Sequence, residues 1–201
     1  LTSITLTDAT TPTLTLSQSA YTSDSVILGK IVTAYNLAVT GASVTQASAL
    51  QSASKVTAFT VSDTASNVQG ALTTLQSDDK LTSITLTDAT TPTLTLSHSA
   101  YTLDSAILGK IATAYNLAVT GVTAGQVSNV LSDAHVSSVS VLDTASGIAA
   151  NLDALQLVSG NISALTQTDL QPLVLTLAQY VSDADVLGKI TGGYALSLTD
   201  S

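Results

Sequence analysis

The amino-acid sequence predicts an α/β fold, a repeat solenoid with one parallel sheet of about eight short strands and helices on the opposite side. Three observations carry this expectation. Residues 1–41 recur almost verbatim as residues 81–121, a period of 80, with only Gln18 to His98, Ser23 to Leu103, Val26 to Ala106 and Val32 to Ala112 changed. A shorter strand-like motif recurs within each copy, and the segments between motifs carry helical spacing. Self-similarity at a fixed period marks units that bury their apolar faces on one another. The expected copies are residues 1–80, 81–160 and a partial third at 161–201, in one continuous solenoid.

The strand motif reads apolar, two small residues, apolar, small, apolar, small, then Asp or Gly. It ends at Asp8, Gly41, Asp63, Asp88, Gly121, Asp143, Asp169 and Asp200, at spacings of 33, 22, 25, 33, 22, 26 and 31 residues. Such alternation reads as a strand with one buried face. One inward row is Ile4, Leu37, Phe59, Ile84, Leu117, Val139, Leu165 and Leu196. The next is Leu6, Val39, Val61, Leu86, Val119, Val141, Gln167 and Leu198. Gln167 is the misfit, so a frayed or shifted strand is expected there.

The longer repeats contain TPTLTLS, at 11–17 and 91–97. Pro12 cannot donate to a ladder, which suits an extra edge strand or an extended lead into a helix. Helical spacing of three or four follows in Val68, Leu72 and Leu75, and in Ile148, Leu152 and Leu155. Ile27, Ile31 and Tyr35 show it too, as do Ile107, Ile111 and Tyr115. Asp63-Thr64-Ala65-Ser66 and Ser182-Asp183 supply side-chain acceptors for helix starts. Strand, helix, strand is the crossover that parallel pairing requires.

Composition excludes several partners. All 14 acidic residues are Asp, all 5 basic ones are Lys, and the net charge is −9. That balance argues against nucleic-acid phosphates and against an anionic membrane surface. No apolar run approaches the roughly 18 residues of a membrane span, so no membrane insertion is expected. The absence of cysteine rules out disulfides and thiolate metal sites. The chain begins inside one motif and stops just after another. We expect a segment of a longer protein, with neighbouring repeats or further copies of itself as its partners.

The Lxx(I/L/V)x(L/V) core resembles the strand motif of leucine-rich repeats, across all the motifs above. The wording SDTASNVQGALTTLQ (62–76), LDTASGIAANLDALQ (142–156) and KLTSITLTDATTPTLTL (80–96) is similar to repetitive segments of giant secreted or surface-attached bacterial proteins. That resemblance implies an extracellular or cell-surface location and a role as adhesin, biofilm matrix or surface-layer component. The chain would then be a spacer or self-assembly scaffold.

No catalytic set emerges, and the chain is not expected to be an enzyme. The two histidines, His98 and His135, do not recur between copies, and His98 stands where the first copy has Gln18. Asp78–Asp79 reads as a solvated turn, and Asp183 aligns with Asp24 and Asp104 as a helix cap. Lys30, Lys110 and Lys189 recur inside LGKI and read as helix residues with stems on apolar surface. The tyrosines pair fourteen apart, Tyr21/Tyr35, Tyr101/Tyr115 and Tyr180/Tyr194, a regularity that suits packing.

Two surfaces remain as candidate sites. The strand-end aspartates favour capping the following turn, with Asp8, Asp88 and Asp169 as candidate Ca²⁺ ligands and no other cofactor expected. The outward rows include Thr5, Thr7, Thr40, Thr60, Thr85, Thr87, Thr120 and Thr168. They form an uncharged hydroxyl face that suits a surface glycan, a protein or ice.

Overall fold

The computed structural model describes residues 1–200 and shows a mixed α/β chain with parallel sheets. In chain order the elements are β1 (Thr13–Ser17), α1 (Gln18–Ser23), α2 (Ser25–Leu28), β2 (Asn36–Ala42), α3 (Val44–Ser52), β3 (Val56–Asp63), α4 (Ala65–Gln76) and β4 (Leu81–Leu86). The second copy repeats the order with β5 (Thr93–Ser97), α5 (His98–Leu103), α6 (Ser105–Leu108), β6 (Asn116–Val122), α7 (Val127–Val130), β7 (Val136–Asp143), α8 (Ala145–Ala150), α9 (Leu152–Leu157) and β8 (Ile162–Gln167). The remainder adds β9 (Leu173–Thr176), α10 (Leu177–Ser182), α11 (Ala184–Leu187), β10 (Ile190–Thr191) and β11 (Leu196–Thr199). Among the described residues no helix is long and apolar enough to cross a membrane.

The chain forms two compact units that interleave in sequence. One holds Leu1–Thr91 with Leu103–Ala114; the other holds Pro92–Thr102 and the chain from Tyr115. The first contains a parallel sheet in the order β1-β2-β3-β4. The second contains a parallel sheet in the order β10-β8-β7-β6-β5 and the parallel pair β11-β9.

The single sheet of eight strands is therefore corrected to sheets of four, five and two. The breaks fall where the sequence inserts its TPTLTLS-like segments. After β4 and after β8 the chain bends through Ala89–Thr90 and Thr168–Asp169. Pro92 and Pro172 follow, without an N–H to extend the old ladder. A new ladder then starts at Thr93↔Asn116 and at Leu173↔Leu196. The TLTLS segments are β1 and β5, each at the edge of its sheet. The first motif, 1–8, forms only a single parallel bridge, Ile4↔Ile31.

The inward rows supply the core except at their ends, where Ile4 and Leu6 are half-buried and Leu196 and Leu198 are exposed, a correction to the rows read from the motif. Leu37, Val39, Phe59, Val61, Ile84, Leu117, Val119, Val139, Val141 and Leu165 are at most 3% exposed. Rows read straight from the motif are staggered in the sheet, because Val39 pairs with Phe59 and Phe59 with Leu81. In β2 a bulge at Thr40–Gly41, where Gly41 has φ +73°, shifts the register by one more residue before Ala42 pairs with Val61. Gly121 repeats it in β6, and each glycine N–H donates to a hydroxyl of the next strand, Thr60 or Ser140. Gln167 neither frays nor leaves its strand. It pairs with Asp143, and its amide donates to the carbonyls of Asp169 and Gln171, closing the bend that follows.

Helices form where their caps and apolar stripes coincide. Val68, Leu72 and Leu75 of α4 are all buried, and Thr64 caps its start by accepting the Asn67 N–H. Ile148, Leu152 and Leu155 are equally buried, but Asn151 divides them between α8 and α9. The helix read through Ile27, Ile31 and Tyr35 is corrected. It ends at Leu28 because Gly29 and Lys30 turn the chain back to the sheet, where Ile31 bridges Ile4. The LGKI lysines therefore sit in a turn. The carbonyls of Lys30, Lys110 and Lys189 accept the N–H of Ile4, Ile84 and Leu165, and Lys110 Nζ donates to the Leu81 carbonyl at 2.7 Å.

The bulge gives a direct test. Nothing crowds a Cβ at Gly121, so only backbone strain opposes a side chain there. Gly121→Ala should lower unfolding free energy by about 1–2 kcal/mol in a urea melt.

Candidate functional site

The hydroxyl rows are not one uniform face. Thr40 Oγ1 donates to the Leu16 carbonyl at 3.3 Å, and Thr120 Oγ1 to the Leu96 carbonyl at 3.2 Å. Thr60 Oγ1 accepts from Gly41 at 3.0 Å. Thr5, Thr7, Thr85, Thr87 and Thr168 are exposed, and their hydroxyls make no hydrogen bond to the described chain. A second hydroxyl set stitches neighbouring strands. Thr57, Thr82, Ser137 and Ser163 donate to the carbonyls of Leu37, Phe59, Leu117 and Val139. A hydroxyl residue at the second motif position is the signal for this set.

The strand-end carboxylates hold the start of the preceding helix as well as their own turn. Asp63 Oδ2 accepts the Val44 N–H at 2.9 Å, and its Oδ1 accepts the Thr64 N–H at 2.9 Å and the Asn67 amide at 2.7 Å. Asp143 repeats this with Thr144 and with Ala124, the first residue of a 3-10 turn (Ala124–Gln126) that runs into α7. Asp88 accepts the Ala65 N–H at 2.7 Å, and Asp169 accepts the Ala145 N–H at 3.0 Å. Free N–H groups at a helix start favour such carboxylates. Asp8 is exposed and accepts no bond of this kind. Among the described residues no three His or Asp side chains gather where they could hold a metal ion.

Other carboxylates lie deeper than the sequence suggests. Asp78 is buried, not a solvated turn, because its N–H and carbonyl bond Leu75 and Leu81 and fold the turn back on itself. Its Oδ2 has no hydrogen-bond partner. Asp183 holds the first-cap position of α11 but makes no side-chain cap bond; it is buried, with the Ser182 hydroxyl on its Oδ1 at 3.0 Å.

Titration follows from these settings. Burial raises the Asp78 carboxyl, partly offset by the Lys110 charge and reinforced by Asp79. Burial also raises Asp183, helped by the neighbouring Asp153. At Asp63 burial opposes ionisation, but the Asn67 amide and the Val44 and Thr64 N–H groups outweigh it and lower the pKa.

A polar cluster that the sequence does not reveal lies in the second copy. Tyr101 donates its hydroxyl to Asp133 Oδ2 at 3.1 Å. His135 Nδ1 lies 3.1 Å from Asp133 Oδ1, and its ring stacks on Tyr115 with centroids 4.4 Å apart and planes at 12°. Burial opposes ionisation of Asp133, but the His135 and Tyr101 hydrogen bonds hold its pKa below the usual range. Asp133 and His135 are two positions apart, but the tyrosines lie 18 to 34 positions from them and meet them only through the fold.

No family model, curated protein or solved structure matches this chain.

Two outcomes follow. Asp78 and Asp183 bind protons more tightly folded than unfolded, so stability falls as pH rises from about 4 through their raised pKa values. Asp63 and Asp133 act oppositely, and their contribution is lost as pH falls through their lowered values. The melting temperature should peak in mild acid, and Asp78→Asn with Asp183→Asn should flatten its decline toward neutral pH. Melting in Ca²⁺ and in chelator should agree to within about 2 °C; a gap above about 10 °C would make the rim aspartates ligands.

Proposed function

We propose that this chain is a structural and interaction segment of a large extracellular bacterial protein. In this reading it is a solenoidal spacer or self-assembly scaffold, without enzymatic activity. The observation that carries the reading is that polar groups of each repeat serve the repeat before it. Asp63, Asp88, Asp143 and Asp169 hold helix starts 19 to 24 residues upstream, and Thr57, Thr82, Ser137 and Ser163 bond the preceding strand. Side chains committed to their neighbours favour continuation of an array over recognition of a ligand. Exposed Leu177 and Val181, which line a hollow of about 680 Å³ with Asp200, add apolar surface suited to a further copy. The repeat wording supports adhesion, matrix or surface-layer roles and a cell-surface location.

A second reading rests on the five unbonded threonines. Thr5 and Thr7, Thr85 and Thr87, and Thr168 offer exposed hydroxyls to a glycan, a protein or ice at three separate places along the chain. Sedimentation across rising protein concentration separates the two. Self-association that survives Thr85→Lys with Thr87→Lys supports the scaffold. A strict monomer whose glycan, protein or ice binding is abolished by those substitutions supports the module.

A further inference from the structure

The first copy has an open cavity where the second copy has the Tyr101–Asp133–His135–Tyr115 cluster. It measures about 590 Å³ and is lined by Tyr21, Tyr35, Ala53 and Lys55, with Leu28, Leu37 and small residues between them. Tyr21 and Tyr35 are the counterparts of Tyr101 and Tyr115, one 80-residue period earlier. The Tyr35 hydroxyl is committed to the Leu28 carbonyl at 3.0 Å, which fixes its ring as a wall.

The difference between the copies lies in what faces these tyrosines. In the second copy the chain supplies a carboxylate to the first tyrosine and a flat ring to the second, Asp133 and His135. The corresponding residues in the first copy are Ala53 and Lys55. Ala53 leaves the carboxylate position vacant, so no acceptor faces the Tyr21 hydroxyl from that position. Lys55 Nζ lies 4.0 Å from the centre of the Tyr35 ring and makes no salt bridge to any of the abundant aspartates. A third change reinforces the second: Lys80 stands where the second copy has Gly160. Its ammonium bonds the carbonyls of Gln51 and Ala53, at the turn that carries Lys55. Two of the five lysines of the chain thus gather beside a cavity from which one carboxylate has been removed.

We infer that the cavity of Tyr21, Tyr35, Ala53 and Lys55 binds a small organic carboxylate with a ring-shaped body. The carboxylate takes the place that Asp133 fills in the second copy, accepting from the Tyr21 hydroxyl and pairing with Lys55. The Lys55 ammonium, which covers the Tyr35 ring in the open cavity, moves onto that carboxylate, and the ligand ring takes the face of Tyr35 so freed, the position of the His135 ring in the second copy. The volume suits such a molecule, since ligand cavities run from about 300 to 1,000 Å³. A net charge of −9 disfavours anions elsewhere on the surface, so binding is confined to this local reversal of charge. The site is independent of the scaffold reading and stands whether or not copies assemble.

The test is titration of the full chain, followed by amide NMR, with benzoate and glucuronate as probes and benzyl alcohol, glucose and acetate as controls. Benzoate, glucuronate or both should bind once per chain, with Kd on the order of 1 mM. The neutral and ringless controls should bind at least about tenfold more weakly. The preferred probe distinguishes an aromatic acid from an acidic sugar. Ala53→Asp should abolish binding without lowering the melting temperature, because it restores a side chain that the second copy already accommodates. Conversely, Asp133→Ala with His135→Lys should open a second site and raise the stoichiometry from one to two. Equal binding of the neutral controls, unchanged affinity in Ala53→Asp, or no binding of either probe up to about 50 mM would overturn the inference.

Discussion

A helix begins with backbone N–H groups that its own turns cannot satisfy, and in this chain the next repeat satisfies one of them. Asp63 reaches back to Val44, Asp88 to Ala65, Asp143 to Ala124 and Asp169 to Ala145. The strand end must therefore lie beside the previous helix start, which fixes how far each crossover runs and where each strand stops. The other recurrent features follow from that placement. Hydroxyls at the second motif position reach the preceding strand, and Gly41 and Gly121 carry the bulges at which the register shifts by one residue. With the backbone so placed, the apolar rows close over one another.

Much of the fold was legible because two periods dominate the sequence. Alternation located β2, β3, β4, β6, β7 and β8, and three-to-four spacing located α4, whose stripe is wholly buried. The sheet count was not legible, because the motif is the same on both sides of a break. Whether Leu81–Leu86 and Thr93–Ser97 share a ladder depends on the bend before Pro92, and the alternating pattern says nothing of that bend. The helix at Ile27–Tyr35 misled for a related reason. Ile31 is apolar because it bridges to Ile4 in the sheet, which leaves the same mark as a helical stripe.

The candidate sites were legible to different degrees. The rim aspartates are visible as motif ends, and a capping role follows from their chemistry. Their partner, an amide some twenty residues upstream, needs the three-dimensional stack. The tyrosine pairs suggested only packing. Their environments diverge at positions 53, 55 and 80, in the stretch that separates the near-identical segments of the two copies. Duplication has kept the frame and changed its contents, so each copy serves as a control for the other. In one the carboxylate and ring come from the chain; in the other the same walls enclose open space.

The wiring of the ladders has a kinetic side. Paired residues are close in sequence for a parallel sheet: Leu37 and Val56 lie 19 apart, Thr13 and Asn36 lie 23 apart, and Ile4 and Ile31 lie 27 apart. Folding speed falls as contacts become more distant along the chain, and closing a short loop costs little entropy. Here the distance is set by one repeat and stays the same however many repeats are joined. Such a chain can order itself progressively as it emerges from a ribosome, each strand templated by the one before. Gene duplication can then lengthen it without making it slower to fold.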